Sequence, residues 1–324
     1  MALIQLVGIL LMAALLNLVP QAFSNPQQLI TPNMIKSWCA QTPHQQKCED
    51  SFIRNPEYSS SIIKGKPDFL KKSLFVALKH AKRAAAETYN LGSKCRNSRE
   101  EAAWRDCVEL YDLAIQYMNE TIDPHTKISS ADAQTYLSTS LTYIDTCKQG
   151  FKELEAAATE NYMIPSVSHE DVSSLISNSL ALNMVPFSEP TYKRDFPSWV
   201  FPRDRKLLQA AASPATMRPN IVVAKDGSGN YATVGAAVAA AVKLAVNGAR
   251  IVIYIKSGTY AETVVMGKKM KNVMFLGDGI GRTIITGSTS VAGSGATTFR
   301  SATVGKSINV RLFLFFLPSL KLIG

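Results

Sequence analysis

The residues of this sequence that could carry chemistry fall into two separate sets. Cys39, Cys48, Cys95, Cys107 and Cys147, with His44, His80, His125 and His169, all belong to the first part of the chain. No cysteine pair has the two-residue spacing of a zinc knuckle and the histidines are scattered, so the pattern speaks against a metal site and for disulfides. Five is odd, so one thiol is left over after two bridges, and spacing does not say which. After Leu208 the only carboxylates are Asp226, Glu262 and Asp278. Asp226 and Asp278 stand next to glycine, as turn aspartates do. No histidine follows His169 and no Gly-x-Ser-x-Gly elbow occurs in that part, which excludes a serine–histidine hydrolase site there. Gly305-Lys306-Ser307 imitates the end of a phosphate loop, but Arg300 stands where its first glycine belongs. Gly277-Asp278-Gly279-Ile280-Gly281 lacks the dinucleotide spacing and reads as a tight turn.

The elements that must position these groups divide in the same way. With 324 residues, 46% hydrophobic and 19% charged, the chain can build two domains with real cores. The first 25 residues carry no charge, and Leu6 to Val19 is apolar apart from Asn17, too short to cross a bilayer comfortably. A cleaved signal peptide over 1–24 is expected, with a retained anchor as the alternative because the n-region lacks Lys and Arg. Export favours disulfides, and the sequon at Asn119 would then mark a glycosylated surface. Up to Leu208 there are 22 Lys plus Arg against 22 Asp plus Glu, and beyond it 13 against 3, so the whole formal charge of +10 belongs to the second part. A basic surface on an exported module suits an acidic partner such as a polyuronate or an anionic membrane, or serves solubility alone.

Between about Asn33 and Leu182, within a first domain expected over 25–182, the pattern is helical. Leu70, Leu74, Ala77, Leu78, Ala81 and Ala85 recur at three and four, as do Ala103, Cys107, Leu110 and Ala114, then Leu137, Leu141 and Ile144. Pro67-Asp68 opens one helix, and Ser98 with Glu101 reads as a capping box for the next. Short connections imply a bundle. From Asn183 to Pro219 the period vanishes among six prolines, which marks 183–218 as a linker, and inside it Arg203-Asp204-Arg205-Lys206-Leu207-Leu208 is a basic, exposed run of the kind proteases cut. From 219 to 304 short β-branched runs at Ile221–Val223, Ile251–Ile255, Val273–Leu276 and Thr283–Thr286 alternate with glycine turns and one alanine-rich helix, which suits a sandwich or a parallel β-helix.

Five ordered blocks then resemble the opening of a plant pectinesterase domain: Ile221-Val-Val-Ala-Lys-Asp-Gly-Ser-Gly-Asn-Tyr231, Ile255-Lys-Ser-Gly-Thr-Tyr-Ala-Glu262, Phe275-Leu-Gly-Asp-Gly279, Arg282-Thr-Ile-Ile-Thr-Gly287 and Ala296-Thr-Thr-Phe-Arg-Ser-Ala-Thr303. Upstream, Cys39 and Cys48, Asp106-Cys107-Val-Glu-Leu-Tyr111 and Asp145-Thr-Cys147-x-x-Gly-Phe151 resemble the pectinesterase-inhibitor domain that precedes the enzyme in such precursors. Arg205, Lys206, Leu207 and Leu208 resemble the basic-dileucine site where these precursors are cut. The resemblance implies an up-down four-helix bundle bridged Cys39–Cys48 and Cys107–Cys147, then the start of a right-handed parallel β-helix, incomplete. Cys95 has no counterpart and is expected to be a free thiol.

It also implies a chemistry, in which one aspartate attacks the methyl-ester carbonyl of galacturonate while a second donates and accepts the proton. A glutamine stabilises the oxyanion and an arginine holds the nucleophile. None of Asp226, Glu262 and Asp278 matches a catalytic block, the catalytic blocks belong after Thr303, and the tail 305–324 departs from the pattern, so no catalytic residue is expected. Thr298 alone coincides with a substrate-contact position. The expectation is a truncated pectinesterase/pectinesterase-inhibitor precursor of the cell wall, its last coil left with unpaired edges. The alternatives are an inhibitor acting through its bundle, or a related invertase inhibitor. The implied partners are pectin (homogalacturonan), a pectinesterase held by the bundle and a processing protease, with no nucleic acid, no metal and no cofactor.

Overall fold

A computed structural model describes residues 31–55, 63–153, 166–184, 192–193, 196–197, 218–244, 250–267, 270, 272–306 and 321–323. The expected signal peptide and the cleavage run Arg205–Leu208 lie outside the described residues.

The first part is α1 (Pro32–Cys39), α2 (Gln45–Glu49), α3 (Lys66–Asn90), α4 (Ser98–Ile122), α5 (Ser130–Glu153) and α6 (Ser166–Leu182). The four long helices close a ring, with α4 on α5, α5 on α6, and α3 against both α4 and α6. Helices α4 and α5 run antiparallel: Cys107 is bridged to Cys147, while seven residues further along α4 the Ala114 carbonyl accepts from Ser140, seven residues earlier in α5, at 3.1 Å. Apolar spacing explains the packing, since Leu74, Ala77, Leu78, Ala81, Ala103, Leu110, Ala114, Leu137 and Ile144 are all buried. Pro67 sits in the first turn of α3, where its missing N–H would have had no helical partner.

The start of α4 differs from the expected Ser98–Glu101 box. Asn97, one residue earlier, is the N-cap: its backbone is extended, and its side-chain oxygen accepts from the Glu100 amide at 2.9 Å. Glu100 returns the contact one residue further back, accepting from the Arg96 amide at 2.8 Å and its guanidinium at 2.5 Å. Glu100 is buried, so its carboxylate needs that ion pair, and the Arg96 hydrogen bond holds its pKa below the ordinary value. Glu101 turns outward to Arg105 instead.

In the second part the strands are β3 (Ile221–Val223), β4 (Ile251–Ile255), β5 (Gly258–Ala261), β6 (Val264–Met266), β7 (Val273–Gly277), β8 (Thr283–Thr286), β9 (Val304–Lys306) and β10 (Lys321–Ile323). A two-residue antiparallel pair, β1 (Tyr192–Lys193) with β2 (Phe196–Pro197), precedes them. From β3 onward every pairing is parallel, in the ladders β3-β4-β7, β5-β8-β10 and β6-β9. Hairpin-built sandwiches pair antiparallel, so the ladders decide for a β-helix in which each coil supplies one strand to each face. Ile253 stacks on Phe275 and Val223 on Ile255, giving a buried interior completed by Tyr260, Val264 and Ile285. Helix α7 (Val234–Leu244) lays Val234, Ala237, Val238 and Ala241 on this interior, and alanine lets it lie close against β3, β4 and β6. The last coil is expected to leave its strand edges bare, but at β8 the edge is paired: Lys321, Leu322 and Ile323 of the tail lie in register with Ile284, Ile285 and Thr286. Gly305 and Lys306, read as a false phosphate loop, are strand residues of β9.

Candidate functional site

Each carboxylate of the second part is tied to nearby backbone. Asp226 accepts from the Ser228 amide at 2.9 Å and from its hydroxyl, closing a turn in which a Cβ on Gly229 would lie 2.7 Å from the Val222 carbonyl. Glu262 accepts from the amides of Val234 and Gly235 at 3.0 and 2.9 Å, so it holds the free N–H groups at the start of α7. Asp278 accepts from the Tyr254 hydroxyl at 2.5 Å and from the Ser257 amide and hydroxyl at 2.6 and 2.7 Å.

Burial alone would raise the Asp278 pKa, but the bonds from Tyr254 and Ser257 keep it below the ordinary 3.8. The folded pKa is the lower one, so ionised Asp278 stabilises the fold above the unfolded value, and this is lost as pH falls through the folded one. Asp278→Asn is therefore expected to destabilise the β-helix at neutral pH and to flatten its acid limb between about pH 5 and pH 2, read from urea midpoints across that range.

Thr298 opens a single helical turn, α9 (Thr298–Ser301), which follows the short α8 (Val291–Ser294) and lies against the bundle. The Thr298 amide donates to Glu153 Oε2 of α5 at 2.9 Å, while its side chain stays exposed. Beside it the buried Thr297 hydroxyl donates to Asp106 Oδ2 of α4. Arg300 donates through Nε to Asp106 Oδ1 at 2.7 Å and through Nη2 to Glu109 Oε2 at 2.6 Å. Burial alone would lower the Arg300 pKa, yet these two carboxylates raise it. Val291 and Phe299 pack against the bundle's core, and the Thr297 methyl comes within 3.5 Å of where a Cβ on Gly150 would be.

Sequence reasoning picked Thr298 but missed Arg300, Asp106, Glu109 and Glu153. The available signal was Asp106 beside Cys107: a carboxylate adjoining a core position, with Glu109 three residues on and so on the same helix face.

The structure joins Cys39 to Cys48 and Cys107 to Cys147, with Cα atoms 5.5 and 4.6 Å apart. Cys95 is free and half-buried, and burial, then Glu100 and Glu101, push its thiol pKa up. Asn119 is exposed on α4 beside a groove of about 670 Å³ that Phe75 also lines, and its amide donates to the Ile115 carbonyl at 2.8 Å. Among the described residues no group of three His, Cys, Asp or Glu could hold a metal, and no helix is long and apolar enough to cross a membrane.

A disulfide-bridged four-helix bundle followed by coils of a parallel β-helix defines a two-part protein, and both parts match known families. Residues 33–182 match the family model for plant invertase/pectin methylesterase inhibitor, and residues 220–314 that for pectinesterase. "Pectinesterase 2" of Citrus sinensis is 51% identical over 274 residues, covering 85% of this chain and 51% of the relative. "Probable pectinesterase/pectinesterase inhibitor 17" of Arabidopsis thaliana is 49% identical over 271 residues, covering 83% of this chain and 50% of the relative. A solved pectin methylesterase from carrot is 58% identical over 26% of each chain, with a TM-score of 0.25. The chain belongs to the pectinesterase/pectinesterase-inhibitor family. It spans about half the length of the curated relatives it matches.

Proposed function

We propose that this chain is an exported cell-wall protein whose working part is the bundle, acting as a pectinesterase inhibitor, while the second part contacts pectin through Thr298 without cleaving its esters. The observation that carries this reading is the state of Asp226, Glu262 and Asp278. Each is committed to turn or helix-start amides, and among the described residues none shares a hydrogen bond with a second carboxylate that could divide acid and base roles with it. The bundle, by contrast, has a continuous core and both bridges. A pectinesterase domain on the same chain favours pectinesterase over invertase as the target. On this reading residues 25–182 are the inhibitor domain, 183–218 a linker cut by a protease at Arg205–Leu208, and 219–304 the pectin-contacting part. Residues 1–24 direct export, and Asn119 carries a glycan.

Paired assays on the purified chain test this. Alone on esterified pectin it is expected to release no methanol above a boiled control, and added to an active pectinesterase it is expected to lower that enzyme's release. Release that disappears on replacing Asp226 or Asp278, or an active enzyme left untouched, would refute the proposal.

A further inference from the structure

We infer that the acidic face formed by Asp106 and Glu109 of α4 with Glu153 of α5 is a recognition surface occupied by the chain's own Thr297–Ser301 segment, and that Arg300 is the residue by which this surface selects it. The side chain of Asp106 is only 6% exposed, and its described hydrogen bonds come from Thr297 and Arg300, both in this segment. A carboxylate so enclosed is costly unless a cation and hydrogen bonds satisfy it, so the surface discriminates strongly against a segment that brings no positive charge.

The geometry also specifies which cation. Asp106 and Glu109 lie one helical turn apart, and the planar fork of Arg300 spans both, one nitrogen to each carboxylate. A lysine ammonium is a point charge on a flexible stem and does not hold two separated carboxylates in this way. The rest of the contact is complementary in kind. Glu153 takes the Thr298 amide, the Thr297 methyl packs over Gly150, and Phe299 and Val291 supply an apolar anchor on the bundle core. Glu109 and Arg300, each 44% exposed, form the rim, where reversing a charge perturbs docking without emptying a core position. Because the Thr298 side chain stays exposed, the segment is held from the side opposite its proposed pectin contact. A bundle engaged in this way within its own chain has that face filled and unavailable to a second molecule.

The docking does not rest on the function proposed above, and its test reads docking alone. Hydrogen exchange of the full-length chain is followed at the amides of 298–301, with amides in the buried stretches of α4 and α5 as a control for folding. Arg300→Glu is expected to speed exchange in the segment at least tenfold while the control amides stay protected. Arg300→Lys is expected to fall between wild type and Arg300→Glu. Glu109→Lys alone is expected to speed exchange severalfold, and Glu109→Lys combined with Arg300→Glu to exchange more slowly than Arg300→Glu alone, because the reversed pair attracts again. Exchange unchanged by Arg300→Glu, or a double variant whose effect is the product of the two single effects, would overturn the inference. These outcomes are independent of methanol release and of inhibition, so a failure here is distinguishable from a failure of the proposed function.

Discussion

Replacing Cys107 and Cys147 together by alanine is expected to lower the stability of the bundle by about 4 kcal/mol, the largest loss from removing either bridge. The bridge ties α4 to α5 across a sequence separation of 40, and both cysteines are buried. Its absence frees a long loop in the unfolded chain, and the entropy of that loop is the main contribution in the chain-entropy description. Cys39–Cys48 closes a separation of only 9, for which the same relation gives about 2.6 kcal/mol. Alanine rather than serine keeps a buried hydroxyl out of the comparison. Urea unfolding followed by circular dichroism gives both values, and a double-alanine variant at 107 and 147 as stable as one at 39 and 48 would show that loop length does not govern the effect.

Phe69→Ala is expected to cost about 3–5 kcal/mol, comparable to losing the longer bridge. Phe69 is fully buried near the start of α3, with its ring 4.6 Å from that of Phe52 and 5.0 Å from that of Trp38. Trp38 lies in α1 and Phe52 in the helical turn Asp50–Arg54 that directly follows α2, so one side chain joins the arm bridged by Cys39–Cys48 to the four-helix ring. Truncation leaves a cavity lined by aromatic rings too rigid to collapse into it, which puts the cost toward the upper end. Thermal unfolding of the variant, with limited proteolysis of residues 31–55 as a second readout, checks both parts. A loss under about 1.5 kcal/mol with the arm still protected would mean that the arm is held by other contacts.

Much of this architecture was legible because it is local. The spacing of Leu74, Ala77, Leu78 and Ala81 marks α3 without reference to any other part of the chain, and β-branched runs with glycine corners mark β3, β4, β7 and β8. Among the strands that escaped notice, β5 and β6 are only four and three residues long, and their side chains alternate between interior and solvent only once or twice. The family motifs carried the cysteine pairing and singled out Thr298.

Tertiary structure decided whatever depended on distant partners. The apolar content of β3 and β4 is the same in a sandwich as in a β-helix, and only their parallel pairing, in register across an intervening helix, separates the two. Glu262 looks like any strand-edge acid until α7, 27 residues earlier, presents its free amides to it. Asp106 and Arg300 are 194 residues apart, and nothing in the local pattern around either one indicates the other. Periodicity reports which face of an element is buried; which charged group meets which is settled by how the buried faces pack, because a desolvated carboxylate takes the partner that the folded chain brings to it.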